Sequence, residues 1–185
     1  MSEIINQLQI DHNNIARLLG LLADQTSCLE AGEYTDLQLV SDIMHYFVNY
    51  PDIQHHPLED LVFAALKERD AGVTDIIEDI HAEHKSMALE SVRIQETITQ
   101  MQGNAIYSRE KIVTALKNYI DTYYAHMEKE ETGLFSPADK ILNEMDWTKI
   151  KNQIRLVDDP LFGKILNDQY TSLYKVILSE VPGQK

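Results

Sequence analysis

Apolar residues recur at alternating three- and four-residue steps along most of the chain, and the few glycines and prolines fall mostly between these stretches. This period is typical of α-helices that bury one face. We predict four long helices, at residues 4–29, 35–69, 74–102 and 108–132. Because the connections between them are short, neighbouring helices should be antiparallel. The pattern therefore predicts an all-α, up-down-up-down four-helix bundle.

The second predicted helix contains two prolines, Pro51 and Pro57. Each proline lacks a backbone donor and crowds the preceding turn of a helix. We therefore expect a kink or a break around residues 51–57.

The remaining residues, after the fourth helix, have shorter apolar periods. Trp147 and Ile150 predict a short helix that Asp159-Pro160 ends, and a last amphipathic segment is expected to pack across the bundle. The apolar positions of this last segment are Ile165, Leu166, Tyr170, Leu173 and Ile177. We therefore divide the chain into a bundle that carries the candidate site, residues 1–135, and a C-terminal helical extension packed on it, residues 136–185.

Polar side chains interrupt the apolar stripe of every long helix; Leu8 and Ile15, for example, flank a histidine on the first. The interruptions are His12 on the first helix, His55 and Glu59 on the second, His84 on the third, and His126 and Glu130 on the fourth. Burying one polar group without a partner costs about 2–7 kcal/mol. A domain that is stable by only about 5–15 kcal/mol could not carry six such groups unpaired. They must therefore satisfy one another or share a cation.

The spacing within two of the helices favours a pair of metal ions. His55 and Glu59, like His126 and Glu130, are four residues apart and lie on one helical face. The imidazole can then bind one ion while the carboxylate bridges to a second. Neutral imidazoles and carboxylates suit iron, manganese or zinc. Because Cys28 is the only cysteine, thiolate clusters and intramolecular disulfides are excluded.

The acidic composition argues against two classes of binding partner, nucleic acids and anionic membranes. Thirty acidic and sixteen basic residues give a formal net charge of −14, which repels nucleic acid and anionic membrane surfaces. No apolar run approaches the ~20 residues of a spanning helix, and the N-terminal residues lack the pattern of a secretory signal. We therefore expect a cytoplasmic protein without nucleic-acid or membrane partners.

Four motifs surround the interrupting residues. They are Asp11-His12, His55-His56-Pro57-Leu58-Glu59-Asp60, Glu83-His84, and His126-Met127-Glu128-Lys129-Glu130-Glu131 followed by Leu134-Phe135. Together they resemble the hemerythrin-like family, also called the HHE cation-binding domain. The segment Asp158-Asp159-Pro160-Leu161-Phe162-Gly163 is similar to a bacterial branch of that family. The resemblance covers nearly the whole chain.

The resemblance implies a four-helix bundle with a non-haem di-iron centre, in which oxygen and two carboxylates bridge two Fe ions. Carried over to this sequence, the terminal ligands are His12, His55, His84 and His126, and the bridges are Glu59 and Glu130.

Three further residues are alternatives or additions to this set. His56 could replace His55, with Asp60 four residues later, although the stripe through His55 is cleaner; Glu131 could likewise replace Glu130. Oxygen-carrying relatives place two histidines one turn apart on the third helix, spaced by four. Here His81 precedes His84 by three residues, which makes His81 the candidate for a fifth imidazole.

The resemblance implies a ligand-binding di-iron protein, rather than an enzyme, that binds or senses O2 or NO. The alternative is a di-iron redox or iron-donor protein that responds to nitrosative or oxidative stress. The His-x-x-x-Glu spacing of the fourth helix favours such relatives, because oxygen carriers tend to have His-x-x-x-x-Asp there. A ferritin-like carboxylate oxidase is disfavoured, since only Glu78 and His81 form a clear Glu-x-x-His pair.

Outside the candidate site, Tyr119 and Tyr123 are expected to be core residues close to His126. Asp11, Asp79 and Asp121 are expected to be solvated surface charges.

Overall fold

Long helices joined by short loops account for most of the computed structural model, which describes residues 2–154 and 159–179. The helices are α1 (Glu3–Ala31), α2 (Leu37–Tyr50), α3 (His56–Arg69), α4 (Thr74–Gln102), α5 (Arg109–Glu130), α6 (Ser136–Ile141), α7 (Glu144–Gln153) and α8 (Thr171–Ser179). No strand occurs within the described ranges. Helix α1 packs along α5, and α2 packs along α4. The prediction of an all-α bundle with additional C-terminal helices is confirmed.

Local capping fixes where the bundle helices begin and end. The side chains of Ser2, Asp36 and Ser108 accept hydrogen bonds from backbone N–H groups in the first turns of α1, α2 and α5. Gly32 closes α1 in the left-handed conformation, with φ 74°. These ends lie within one or two residues of the predicted ones.

The second bundle helix is continuous through its prolines. Residues Pro51–His55 form a π-helical turn, in which the N–H of His56 donates to the carbonyl of Pro51, five residues earlier. Such a turn holds one residue more than an α-helical turn. Pro57 lies in the first turn of α3, where a missing N–H costs little. The expected disturbance at 51–57 is therefore a widened turn and not a break.

A second π-helical turn, Glu131–Phe135, follows α5. The N–H of Ser136 donates to the carbonyl of Glu131, and the chain passes directly into α6. The prediction that the fourth helix stops before Gly133 is therefore wrong; the widened turn carries it on.

The hydrophobic core is divided into two clusters. One contains Leu8, Leu58, Ile80 and Leu134, and the other contains Ile15, Tyr50, Met87 and Tyr123. Along the chain, at least one of the polar interruptions lies between Leu8 and Ile15, between Tyr50 and Leu58, between Ile80 and Met87, and between Tyr123 and Leu134; Glu59 directly follows Leu58. The polar residues therefore form a layer between two apolar regions.

The C-terminal residues cover both regions. Helices α6 and α7 pack on the first cluster through Ala138, Leu142 and Ile150. The other cluster is covered by Leu161, Tyr170, Leu173 and Ile177. Ile165 is 80% exposed, so the predicted apolar stripe begins later than expected. Asp158 lies outside the described residues, and the division at residue 135 stays a prediction.

None of the described helices has an apolar stretch of the length that crossing a bilayer requires.

Candidate metal centre

Seven buried side chains meet in the polar layer between the two apolar clusters. They are His12 from α1, His55 from the π-helical turn, His56 and Glu59 from α3, His84 from α4, and His126 and Glu130 from α5. We call this group the seven-residue cluster. Both glutamates are fully buried, and no histidine residue of the cluster is more than 8% exposed. All six residues first predicted from the apolar stripes belong to the cluster, and His56 joins them.

Glu59 lies between imidazoles from three segments of the bundle. Its Oε1 is 3.1 Å from Nε2 of His55 and 3.5 Å from Nε2 of His12. Its Oε2 is 3.6 Å from Nε2 of His84. The carboxylate therefore spans the width of the cluster.

Glu130 occupies the matching position on α5. Its Oε1 is 3.2 Å from Nε2 of His84 and 3.3 Å from Nε2 of His126. Its Oε2 is 3.4 Å from Nε2 of His12. The two glutamates thus share contacts with His12 and His84, as two bridging carboxylates would.

Several of these donor atoms lack a hydrogen bond. Nε2 of His12, both carboxylate oxygens of Glu59 and Oε2 of Glu130 are buried and find no hydrogen-bond partner among the described residues. Burying them without a partner is costly. Two ligand atoms that are each about 2.1 Å from one ion lie about 3.0–3.4 Å apart, close to the separations seen here. The donor set fits metal ions.

The cluster has two unequal ends. His12, His55 and Glu59 form one group whose ligand atoms lie within 4.8 Å of one another, and His56, His84 and His126 form another. Glu59, His84 and Glu130 form a third group between them. One end therefore offers two imidazoles and the other offers three.

Four of the five imidazoles are each oriented by a different carboxylate from outside the cluster. Nδ1 of His12 lies 2.9 Å from Glu131, and Nδ1 of His55 lies 3.3 Å from Asp11. Nδ1 of His56 lies 2.9 Å from Asp52, and Nδ1 of His126 lies 2.9 Å from Glu83. An ionised carboxylate only accepts, so Nδ1 carries the proton and donates it. In the neutral form of each ring, the form that binds a metal ion, the lone pair of Nε2 is then free to face the centre of the cluster.

Sequence reasoning did not predict that these carboxylates orient the imidazoles, although Glu131 was considered as a ligand in place of Glu130. The expectation that Asp11 is a surface charge is wrong, because its side chain is 2% exposed and accepts from His55. Asp79 and Asp121 are exposed, as expected. Asp11 and Glu83 each directly precede a cluster histidine in the sequence but bond to a histidine on the neighbouring helix. This repeated acidic-histidine dipeptide is the signal that could have found them.

The structure brings both His55 and His56 to the cluster, rather than one or the other. The His56 ring stacks on that of His84, with centroids 3.8 Å apart. His81 lies outside the cluster; its side chain is 44% exposed and its Nε2 is 3.0 Å from Asp60. The fifth imidazole near the glutamates therefore comes from the second bundle helix and not from the third.

Three other residues named in the sequence analysis lie outside the seven-residue cluster. The Glu131 side chain is 44% exposed and contacts His12 through Nδ1, on the outer side of the ring. Tyr119 and Tyr123 are buried core residues, as expected, and the ring of Tyr123 lies 6.4 Å from that of His126.

Charge pairing in the cluster changes the proton affinity of its members. Burial alone would lower the pKa of His12, but Glu130, Glu131 and Glu59 outweigh it and raise this pKa to about 11. Burial would likewise lower the pKa of His55, but Glu59 and Asp11 outweigh it and raise this pKa to about 9.

The glutamates shift in the opposite direction. Burial would raise the pKa of Glu59, but His55 and His12 hold it well below its usual range. Burial and Glu59 would raise the pKa of Glu130, but His12 and His84 lower it. Without metal, Glu59 and Glu130 are therefore charged and lie next to the imidazolium forms of His12 and His55, whose protons a bound cation would displace.

Comparison with known proteins agrees with this geometry. The family model of the hemerythrin HHE cation-binding domain matches residues 3–138, a range that includes the whole cluster. No curated protein and no solved structure matches the chain.

Proposed function

The chain belongs to the hemerythrin HHE cation-binding domain family, and from this premise we propose that it holds two non-haem iron ions and binds O2 or NO at one of them. The observation that carries the proposal is the set of buried, unpaired donor atoms around Glu59 and Glu130. Five imidazoles and two carboxylates surround this point, and the donor set suits iron.

The unequal ends of the cluster suggest different roles for the two ions. His56, His84 and His126 would hold one ion, His12 and His55 the other, and Glu59 and Glu130 would bridge them. The ion held by His12 and His55 would receive fewer ligands from the protein than the other ion and could accept a further ligand. That further ligand would be a small exogenous molecule.

The protein's own residues prepare the site in two ways. Asp11, Asp52, Glu83 and Glu131 hold the imidazole rings through Nδ1, so that the ligand atoms are in place before binding. The apolar clusters on either side exclude water, and the ring of Phe135 lies 5.1 Å from that of His12. When bound, a redox-active metal pair would supply the electrons that a diatomic ligand draws on.

Metal content and the response of the spectrum to gas test this proposal together. We expect about two iron ions per chain and, after reduction, a visible charge-transfer band on exposure to O2 or NO. A band that disappears when the gas is removed supports ligand binding. Irreversible oxidation or loss of iron supports the alternative, a redox or iron-donor role. Protein without iron, or with one equivalent of zinc, contradicts the dinuclear centre.

The pKa shifts predict opposite pH responses for the metal-free and the metal-loaded protein. The raised pKa values of His12 and His55 stabilise the metal-free fold, and this stabilisation is complete below pH 6.5. It is lost as the pH rises through about 9 for His55 and about 11 for His12. Lowered pKa values of Glu59 and Glu130 stabilise it above 4.5, and this contribution is lost as the pH falls. The metal-free protein should therefore be most stable between pH 4.5 and 6.5.

Metal must displace protons from His12 and His55, so its binding strengthens as the pH rises. The difference in Tm between loaded and metal-free protein should accordingly widen from pH 6.5 to 9. Calorimetry of both forms measures it, with the His45→Ala variant as a control, since His45 lies outside the cluster. A difference in Tm that stays constant over this range would contradict the assignment.

A further inference from the structure

A cavity of about 480 Å³ connects the three-imidazole end of the cluster with the surface. Two buried cluster residues, His56 and His84, line it. Four residues that are more exposed than these two also line it: Asp52, Asp60, His81 and Lys85. The cavity therefore leads from a group of charged and imidazole side chains to two predicted metal ligands.

We propose that His81 and Asp60 form a transient binding site for divalent metal ions, through which the ions reach and leave the buried cluster. The inference rests on the proposed dinuclear centre. Nε2 of His81 and Oδ1 of Asp60 are 3.0 Å apart, the separation of two neighbouring ligands on one ion. Neither residue belongs to the seven-residue cluster. Their side chains are 44% and 52% exposed, whereas Nε2 of His81 is itself buried and finds no hydrogen-bond partner among the described residues.

The positions of these two residues in the helices support transfer inwards. His81 lies one turn before His84 on α4, and Asp60 directly follows Glu59 on α3. An ion held by His81 and Asp60 is therefore attached to two of the three helices that carry its final ligands, α3 and α4. It can exchange one ligand at a time instead of losing all of them at once.

Asp52 extends the path. Its carboxylate is 44% exposed and lies 2.9 Å from Nδ1 of His56, a buried cluster residue. One side of the carboxylate thus faces the cavity, while the other holds a predicted ligand. The stacked rings of His56 and His84 lie next along the cavity wall.

The charges of the cavity wall suit a cation. Asp52 and Asp60 contribute two negative charges against the single positive charge of Lys85. A cleft lined by one predominant sign raises the local concentration of the opposite ion and its rate of association by about 10–10³-fold. The positive charge of Lys85 weakens this attraction, so removing it should change the rate of metal uptake in the opposite direction to removing Asp60.

A second cavity, of about 690 Å³, is the competing path. Asp11 lines it and bonds to His55. None of the described residues that line this second cavity belongs to the seven-residue cluster. An ion there would still be separated from the imidazole nitrogens that face the centre, so the 480 Å³ cavity is the more direct path.

Metal exchange in the full chain tests the inference without any assay of gas binding. Iron-loaded protein is mixed with a coloured Fe(II) chelator, and the rate of release is measured at low ionic strength. Stripped protein is then reloaded with Co(II), whose visible absorption reports uptake, and circular dichroism checks that each variant stays helical. We expect His81→Ala and Asp60→Asn to slow Co(II) uptake about 10-fold. His81→Ala should slow iron release by a similar factor. Lys85→Gln should accelerate Co(II) uptake, because it removes the positive charge from the cavity wall.

Two matched variants serve as controls. Asp121→Asn removes the same charge as Asp60→Asn from an exposed position of α5. His45→Ala removes an imidazole that does not line the cavity and that contacts Gln169. Both variants should exchange metal as the unaltered chain does. The final content should remain two ions in every variant.

The possible results separate the two proposals. Unchanged rates in His81→Ala and Asp60→Asn, with two ions bound, overturn the transient site and leave the dinuclear centre intact. A lower final metal content in these variants also overturns it, because the residues would then belong to the centre itself. Failure of the unaltered chain to bind two ions overturns both proposals.

Discussion

Replacing Glu130 by alanine is expected to release both metal ions and to lower the Tm by about 10 °C. The carboxylate lies within 3.4 Å of Nε2 of His12, His84 and His126, so its loss removes a shared bridge and leaves three buried imidazoles without their partner. Removing one partner from a buried charge pair costs about 3–5 kcal/mol, and a chain of this size loses about 2–4 °C per kcal/mol. Elemental analysis and calorimetry measure both effects.

The neighbouring glutamate provides the control. Glu131→Ala removes the same group from a half-exposed side chain that contacts the outer nitrogen of His12, and this variant should still bind both ions, although less tightly, because Glu131 orients His12 without serving as a ligand. If Glu130→Ala fails to fold, Glu130→Gln keeps the shape and removes only the charge. Two ions retained in Glu130→Gln, with an unchanged Tm, would mean that Glu130 is not a bridge.

The second large effect is expected at His56. His56→Ala should reduce the metal content from about two ions to about one after dialysis, because the ion at the end where His56, His84 and His126 meet loses one of its own ligands and is held more weakly. The ring also stacks on His84, so the alanine variant loses a packing contact as well as a ligand. Metal quantitation after dialysis against a weak chelator measures the change.

His81→Ala is the matched comparison, since His81 lies on the surface of the same region and is the fifth imidazole that the sequence alone suggests. This variant should bind both ions at equilibrium, although it exchanges them slowly. The reverse outcome, with an ion lost in His81→Ala and both kept in His56→Ala, would contradict the assignment of the three-imidazole end.

The order of the chain also explains the polar layer. His12 lies between Leu8 and Ile15 on α1, and His84 lies between Ile80 and Met87 on α4, each at the boundary of the two apolar clusters. Any lengthwise slip of one helix would move these imidazoles against apolar side chains. The layer therefore favours one alignment of the bundle helices, in addition to offering ligands.

The sequence by itself determined the helices, their antiparallel order and the six polar residues of the stripes. These properties are local: the period of apolar residues depends only on the 3.6-residue turn, and short loops leave few arrangements. His12, Glu59 and Glu130, for example, are buried where the stripes place them. The matched family was likewise recognisable from the motifs.

Only the tertiary structure decided which further groups complete the site. Adjacent residues of an α-helix lie about 100° apart, so stripe analysis accepts either His55 or His56; the π-helical turn at Pro51–His55 adds a residue and both reach the cluster. The bonds from Asp11 to His55 and from Glu131 to His12 join residues 44 and 119 positions apart. Such contacts depend on how whole helices pack, which no local period encodes.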